Sequence, residues 1–163
     1  MSDGAHQTGL KGGGWKGGVY RQGDFEVSTD RNRLDRTVII NTLSETYWAG
    51  DVSPERIMES VANGFPFGLY HLPSNRQVGF ARLVTDMTRF AWVSDVFVIE
   101  TYKGQGCGKL LMQAILDYPP FENVYNWTLA TKDAHGFYEQ FGFQLAEGKD
   151  ATMQLKRPKK PIA

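Results

Sequence analysis

The stretch VFVIETYKGQGCGKLLMQAIL, residues 96–116, constrains this chain most. An apolar run with strand character meets glycines at alternate positions. A segment with helical periodicity follows at once. Gly104, Gly106 and Gly108 remove Cβ atoms where backbone N–H groups could close on an anion. The first N–H groups of a helix lack intrahelical partners, and the helix dipole is positive there. Lys103 and Lys109 flank the turn and add charge. The pattern predicts a phosphate cradle, with a merely tight strand-to-helix turn as the alternative. Two known phosphate motifs do not fit. A P-loop needs Ser or Thr after Gly-Lys, and Leu110 stands there. A dinucleotide fingerprint starting at Gly104 needs glycine at 109, which is Lys109.

A second glycine run, LKGGGWKGGV at residues 10–19, has no strand before it and no helix after it. Residues 1–18 are therefore expected to be a flexible Gly-rich arm. The main domain is expected at 19–156, and a basic tail at 157–163. The length of 163 residues suits one domain. Eighteen Lys and Arg balance eighteen Asp and Glu, so no global field draws the chain to nucleic acid or membrane. One cysteine excludes a disulfide framework, and three scattered histidines argue against a metal site. No apolar run approaches the roughly 20 residues of a membrane span, and the N-terminus lacks a signal-peptide core. A cytoplasmic protein is expected.

Along the chain, 19–29 predicts a first strand and 30–48 a helix capped by Asp30. Ser53, Pro54 and Gly64 frame a second helix. Strands follow at 65–72, 77–84 and 89–99, joined by short turns. Then come the glycine turn with its helix, a buried strand at 124–131, and a short helix at 133–142. Two final strands are expected within 143–155 across Gly148. Three meandering strands followed by strand–helix–strand units imply an α/β domain with a mixed, mostly antiparallel sheet of six to seven strands.

The glycine stretch resembles the acyl-CoA motif of the GNAT superfamily, the acetyl-CoA-dependent N-acetyltransferases. Val98 ends the strand, Lys103 takes the usual Arg/Gln place, and Gly106 and Gly108 match. A second block, TLATKDAHGFYEQFGF, resembles the family's last motif through Ala134, Tyr138 and Gly142-Phe143. Thr131 stands where Asn is usual. The resemblance covers residues 19–156 and implies the acyl-CoA N-acyltransferase fold, with helices on both faces of the sheet. It implies that strands 90–98 and 124–131 splay apart to admit acetyl-CoA. Backbone groups of Phe97 and Val98 would pair with the pantetheine arm. The N–H groups of 104–109, Gly104, Gln105, Gly106, Cys107, Gly108 and Lys109, would take the pyrophosphate, with Lys103 beside them in the cofactor site. Thr131 and Ala134 would complete the cofactor site.

The implied reaction is transfer of an acetyl group to a primary amine of a small molecule or peptide, by direct attack in a ternary complex. The alternative is a catalytically silent acyl-CoA-binding regulatory domain of the same fold. The resemblance puts the Tyr138 hydroxyl beside the CoA sulfur as general acid. Asp95 lies inside an apolar strand, and burying it alone is costly. It is either the base or half of a salt bridge with Arg82. A strand bulge nearby would change which side chains face the cleft. Asp86, Ser94 and Glu100 are weaker candidates for the base. His135 and His71 are read as structural or lining residues. Cys107 at a helix N-terminus invites a lowered thiol pKa, but pyrophosphate would cover it. Tyr47, Trp48 and Asp86 are the candidates to meet the acceptor, and acidic Asp51 and Asp86 would suit a cationic amine. A homodimer is compatible with such folds, with no specific interface in the sequence.

Overall fold

The computed structural model describes residues 14–146 and 153–162. Seven strands form one open sheet in chain order: β1 Trp15–Lys16, β2 Val19–Gln22, β3 Phe25–Ser28, β4 Phe65–His71, β5 Arg76–Thr85, β6 Phe90–Val98 and β7 Asn126–Leu129. Every neighbouring pair is antiparallel except β6 and β7, which are parallel. The parallel pair needs a crossover, and the helix after the glycine turn supplies it.

The expected first strand is in fact a hairpin. Gly23, at φ 56°, turns β2 back onto β3, with Gln22 opposite Phe25. A second tight hairpin precedes it. Gly17 and Gly18, at φ 58° and 79°, form a two-residue turn between β1 and β2. Positive φ at both central positions matches the twist of the flanking strands and favours glycine. The arm boundary at 18 therefore moves: residues 15–18 belong to the sheet, and residues 1–13 lie outside the described residues.

The helix expected from Asp30 starts later. Asp30 caps only a short 3-10 turn, Arg31–Arg33, and Leu34 is extended. Asp35 then caps α1, Arg36–Ser44, by accepting from the N–H groups of Thr37 and Val38. Helix α2, Pro54–Asn63, begins as expected, with Ser53 accepting from the Arg56 N–H. Helix α3 is Cys107–Leu116 and α4 is His135–Glu139. The final strands expected in 143–155 are not formed at 143–146 or 153–155, and their turn lies outside the described residues.

Two cores sandwich the sheet. On one face α3 buries Leu110, Leu111, Met112, Ala114 and Ile115 against Val27, Phe67, Leu83 and Val93. On the other, Ile39 and Leu43 of α1 and Ile57 and Val61 of α2 cover Phe80 and Phe97. Each of these side chains other than Ala114 contributes about 1.5–3 kcal/mol on burial. Bulges let β5 and β6 serve both faces, since an extra residue reverses which side chains point where. No helix among the described residues is long and apolar enough to cross a membrane.

The N-terminal hairpin is tied to this core. Trp15 donates its indole N–H to the Ala114 carbonyl at 2.8 Å and packs edge-on against Tyr20, Phe67 and Tyr118. Trp15→Ala is expected to cost about 2 kcal/mol in urea unfolding. An unchanged midpoint would show that the hairpin is only an appendage.

Candidate functional site

The site begins where β6 leaves β7. The two strands pair from Phe90–Asn126 to Val93–Leu129 and no further. On its other side β6 stays with β5, but Arg82 opposes Ser94 while Phe80 opposes Phe97. Three steps on β6 match two on β5, so β6 carries a bulge. Asp95 occupies it at φ 54°, a left-handed conformation costing a non-glycine residue about 1 kcal/mol or more. Side-chain bonds hold it there. Arg82 Nε donates to Asp95 Oδ2 at 2.7 Å, and Arg82 Nη2 to Ser94 Oγ at 3.3 Å. Trp48 Nε1 donates to Asp95 Oδ1 at 3.1 Å. The salt bridge weighed for Asp95 is therefore present. The bond to Trp48 also ties the loop after α1 to the bulge.

Two cavities, of about 710 and 950 Å3, open on either side of this point. They share a wall of Tyr47, Trp48, Val96, Asp133, Ala134 and Tyr138. The first is lined by Arg82, Ser94, Asp95 and Thr131, with Trp92 and Arg56. The second is lined by Phe97, Val98, Lys103, Gly104, Gly106, Cys107, Gly108 and Lys109. The fold thus gathers almost every candidate residue into two adjoining spaces. Gln105 lines neither, and its amide donates to the Thr101 carbonyl at 3.4 Å. Asp86 also lines neither. One of its oxygens accepts from the N–H groups of Thr88, Arg89 and Phe90, closing the β5–β6 turn. Those bonds hold its carboxyl below the usual range.

The glycine turn leaves backbone N–H groups open at the start of α3. Gly104 and Gly106 sit at φ 81° and 80°, and Gly106 is the N-cap of α3 with no side chain capping it. Leu110 makes the first helical bond, its N–H to the Gly106 carbonyl at 3.0 Å. The N–H groups of Cys107, Gly108 and Lys109 precede that bond. Gly108 has a different reason to be glycine. A Cβ there would lie 3.3 Å from the ring of Phe137, so this glycine seats α4 beside α3. That contact helps place Tyr138, the next residue. Lys103 pairs with Glu100 at 2.8 Å on the surface.

Tyr138 is half-buried, and burial, with the nearby Tyr47, pushes its hydroxyl above the ordinary value of 10.0. Tyr47 reaches across the cleft, its hydroxyl accepting from the Lys132 N–H at 3.1 Å. This bridge between the loop after α1 and the loop after β7 had no signal in the sequence, because its residues lie 85 apart. Thr131 caps the turn into α4 by accepting from the Ala134 N–H at 3.1 Å. Burial pushes the Cys107 thiol up, opposite to the lowering that a helix N-terminus invites. His71 is held by Ser74 at 2.7 Å and packs against Phe25 and Tyr102.

The acetyltransferase (GNAT) domain model matches residues 67–145, the span holding the glycine turn, the bulge and Tyr138. A GNAT-family structure from Xanthomonas campestris pv. campestris is 34% identical, with a TM-score of 0.78 over 85% of this chain and 96% of that one. The chain belongs to the GNAT acetyltransferase family. A Gibberella zeae protein whose name provisionally assigns it as an acetyltransferase is 27% identical over 147 residues, 77% of this chain and 82% of that protein. A Staphylococcus aureus structure is 25% identical, with a TM-score of 0.63 over 82% of this chain and 99% of that one. Family membership makes acyl transfer the reaction class, and the seven-stranded sheet is the GNAT sheet.

The two kinds of glycine in this GNAT turn should respond differently. Gly106→Ala meets open space but a positive φ, so it should cost about 1 kcal/mol of stability. Gly108→Val should instead displace Phe137 and weaken coenzyme A binding more than Gly106→Ala does. Urea unfolding and calorimetry with coenzyme A check both. Equal effects of the two substitutions on binding would refute the packing role of Gly108.

Proposed function

We propose that this GNAT protein transfers an acetyl group from acetyl-CoA to a primary amine of a small molecule or peptide, in a ternary complex. The observation that carries the proposal is the shared wall. Tyr138 lies between the cavity that holds the glycine cradle and the cavity that holds Asp95. When bound, acetyl-CoA supplies an activated thioester carbonyl that an amine can attack. The residues lining the second cavity suit it. The N–H groups of 107–109 take the pyrophosphate, with Lys103 and Lys109 adding charge. Val96, Phe97 and Val98 have no β7 partner, so the edge of β6 is open to pantetheine amides as an added strand.

An alkyl ammonium with a pKa of about 10.4 must lose a proton before it attacks. Asp95, through water, is the proposed acceptor, and the Arg82 and Trp48 bonds fix its orientation. Tyr138 donates to the departing thiolate. Its raised pKa keeps the proton on the hydroxyl throughout the neutral range. Tyr47 and Trp48 close over the acceptor.

Tyr138→Phe is expected to lower kcat about 10- to 100-fold on the best amine of a panel, with thiol release as the readout. The KM for acetyl-CoA should change less than twofold. Unchanged turnover removes Tyr138 as the acid. Transfer to no amine, with tight coenzyme A binding, would point to a silent acyl-CoA-binding domain.

The pH profile offers an independent check. Activity should rise with pH as the acceptor amine deprotonates. Because the Tyr138 pKa is raised above 10.0, its ionisation should cause no loss of activity below that pH. An alkaline limb near pH 8 that disappears in Tyr138→Phe would contradict this assignment.

A further inference from the structure

The charges around the first cavity select among acceptors. The carboxylates that would draw a polycation are engaged elsewhere. Asp86 is in the β5–β6 turn, and Asp51 is paired with Lys159 at 2.8 Å, outside the lining. The lining itself holds Arg56, Arg82 and Lys132 against Asp95 and Asp133, a surplus of one positive charge. Arg82 is matched by Asp95, and Asp133 lies on the wall shared with the cofactor cavity.

Arg56, on the first turn of α2, is different. Among the described residues no carboxylate pairs with it, and its guanidinium donates to the backbone carbonyl of Lys160. A carbonyl satisfies a hydrogen bond but leaves the charge uncompensated. The C-terminal tail also brings Lys160 to this edge, while Lys159 beside it is matched by Asp51. Apolar Val52, Ile57 and Trp92 also line this cavity.

We infer that the acceptor is an amine that also carries an anionic group, a carboxylate or a phosphate, and that Arg56 binds this group. This rests on the proposed amine acetylation, which supplies the amine end of the same cavity. A guanidinium binds either oxyanion through paired, charge-assisted bonds.

Matched acceptors test it: 4-aminobutyrate against butylamine for the carboxylate, and O-phosphoethanolamine against ethanolamine for the phosphate. At least one acidic member should exceed its neutral partner by about tenfold in kcat/KM, mainly through KM, which equals about 1.4 kcal/mol. Which pair shows the gap separates carboxylate from phosphate. Arg56→Gln should abolish the gap, and Arg56→Lys should restore part of it. Calorimetry should find coenzyme A binding unchanged in both variants, so a failure of the acyl-donor site would be seen separately. Binding of the same four compounds to the coenzyme A complex, measured without turnover, gives a second readout. Equal affinity within both pairs, preference for putrescine over every acidic amine, or a gap that survives Arg56→Gln overturns the inference.

Discussion

The structure depends on the bond between Arg82 and Asp95. It sits where β6 gives up its pairing with β7, and it holds a non-glycine residue at φ 54°. Without that constraint the ladder could run on past Val93, and the space between the strands would close. The pair is little exposed, with 18% and 9% of the two side chains accessible. Removing one partner of such a pair leaves a charge poorly solvated, so the bulge and the loop carrying Trp48 stand or fall together. One ion pair therefore joins backbone strain, cleft opening and the loop that carries Trp48.

The rest of the site follows from what the splay leaves unpaired. An open strand edge offers backbone groups at 96–98, and an uncapped helix offers N–H groups at 107–109. Both are directional donors or acceptors that need no particular side chain. The cavity that holds Asp95 is the opposite case. Its character lies in Arg56 of α2 and in Trp92 and Asp95 of β6, side chains from two separate elements.

Local chemistry was legible wherever adjacent residues decide it. The Ser53 cap, the strand into the glycine turn and the start of α3 at Cys107 all came from near neighbours in the chain. The first strand and first helix were misjudged for a related reason. Gly23 lies inside an alternating run, and its positive φ makes a hairpin. Asp30 and Asp35 are both good caps, and only the second begins an α-helix, because the chain between them is used by a 3-10 turn.

The sequence by itself determined the family resemblance and the strand, glycine turn and helix at 90–116, because glycine spacing and helix onset are short-range properties. Tertiary structure decided three things. The glycines at 17 and 18 became a hairpin docked through Trp15 rather than a loose arm, because its partners include the Ala114 carbonyl, 99 residues away, and the rings of Tyr20, Phe67 and Tyr118. Asp86 went to a turn while Asp95 went to the cleft, because a bulge sets which side chains face inward. Gly108 leaves room for Phe137, whose ring a Cβ there would meet at 3.3 Å. Each depends on groups distant in sequence, and their positions exist only once the sheet has formed.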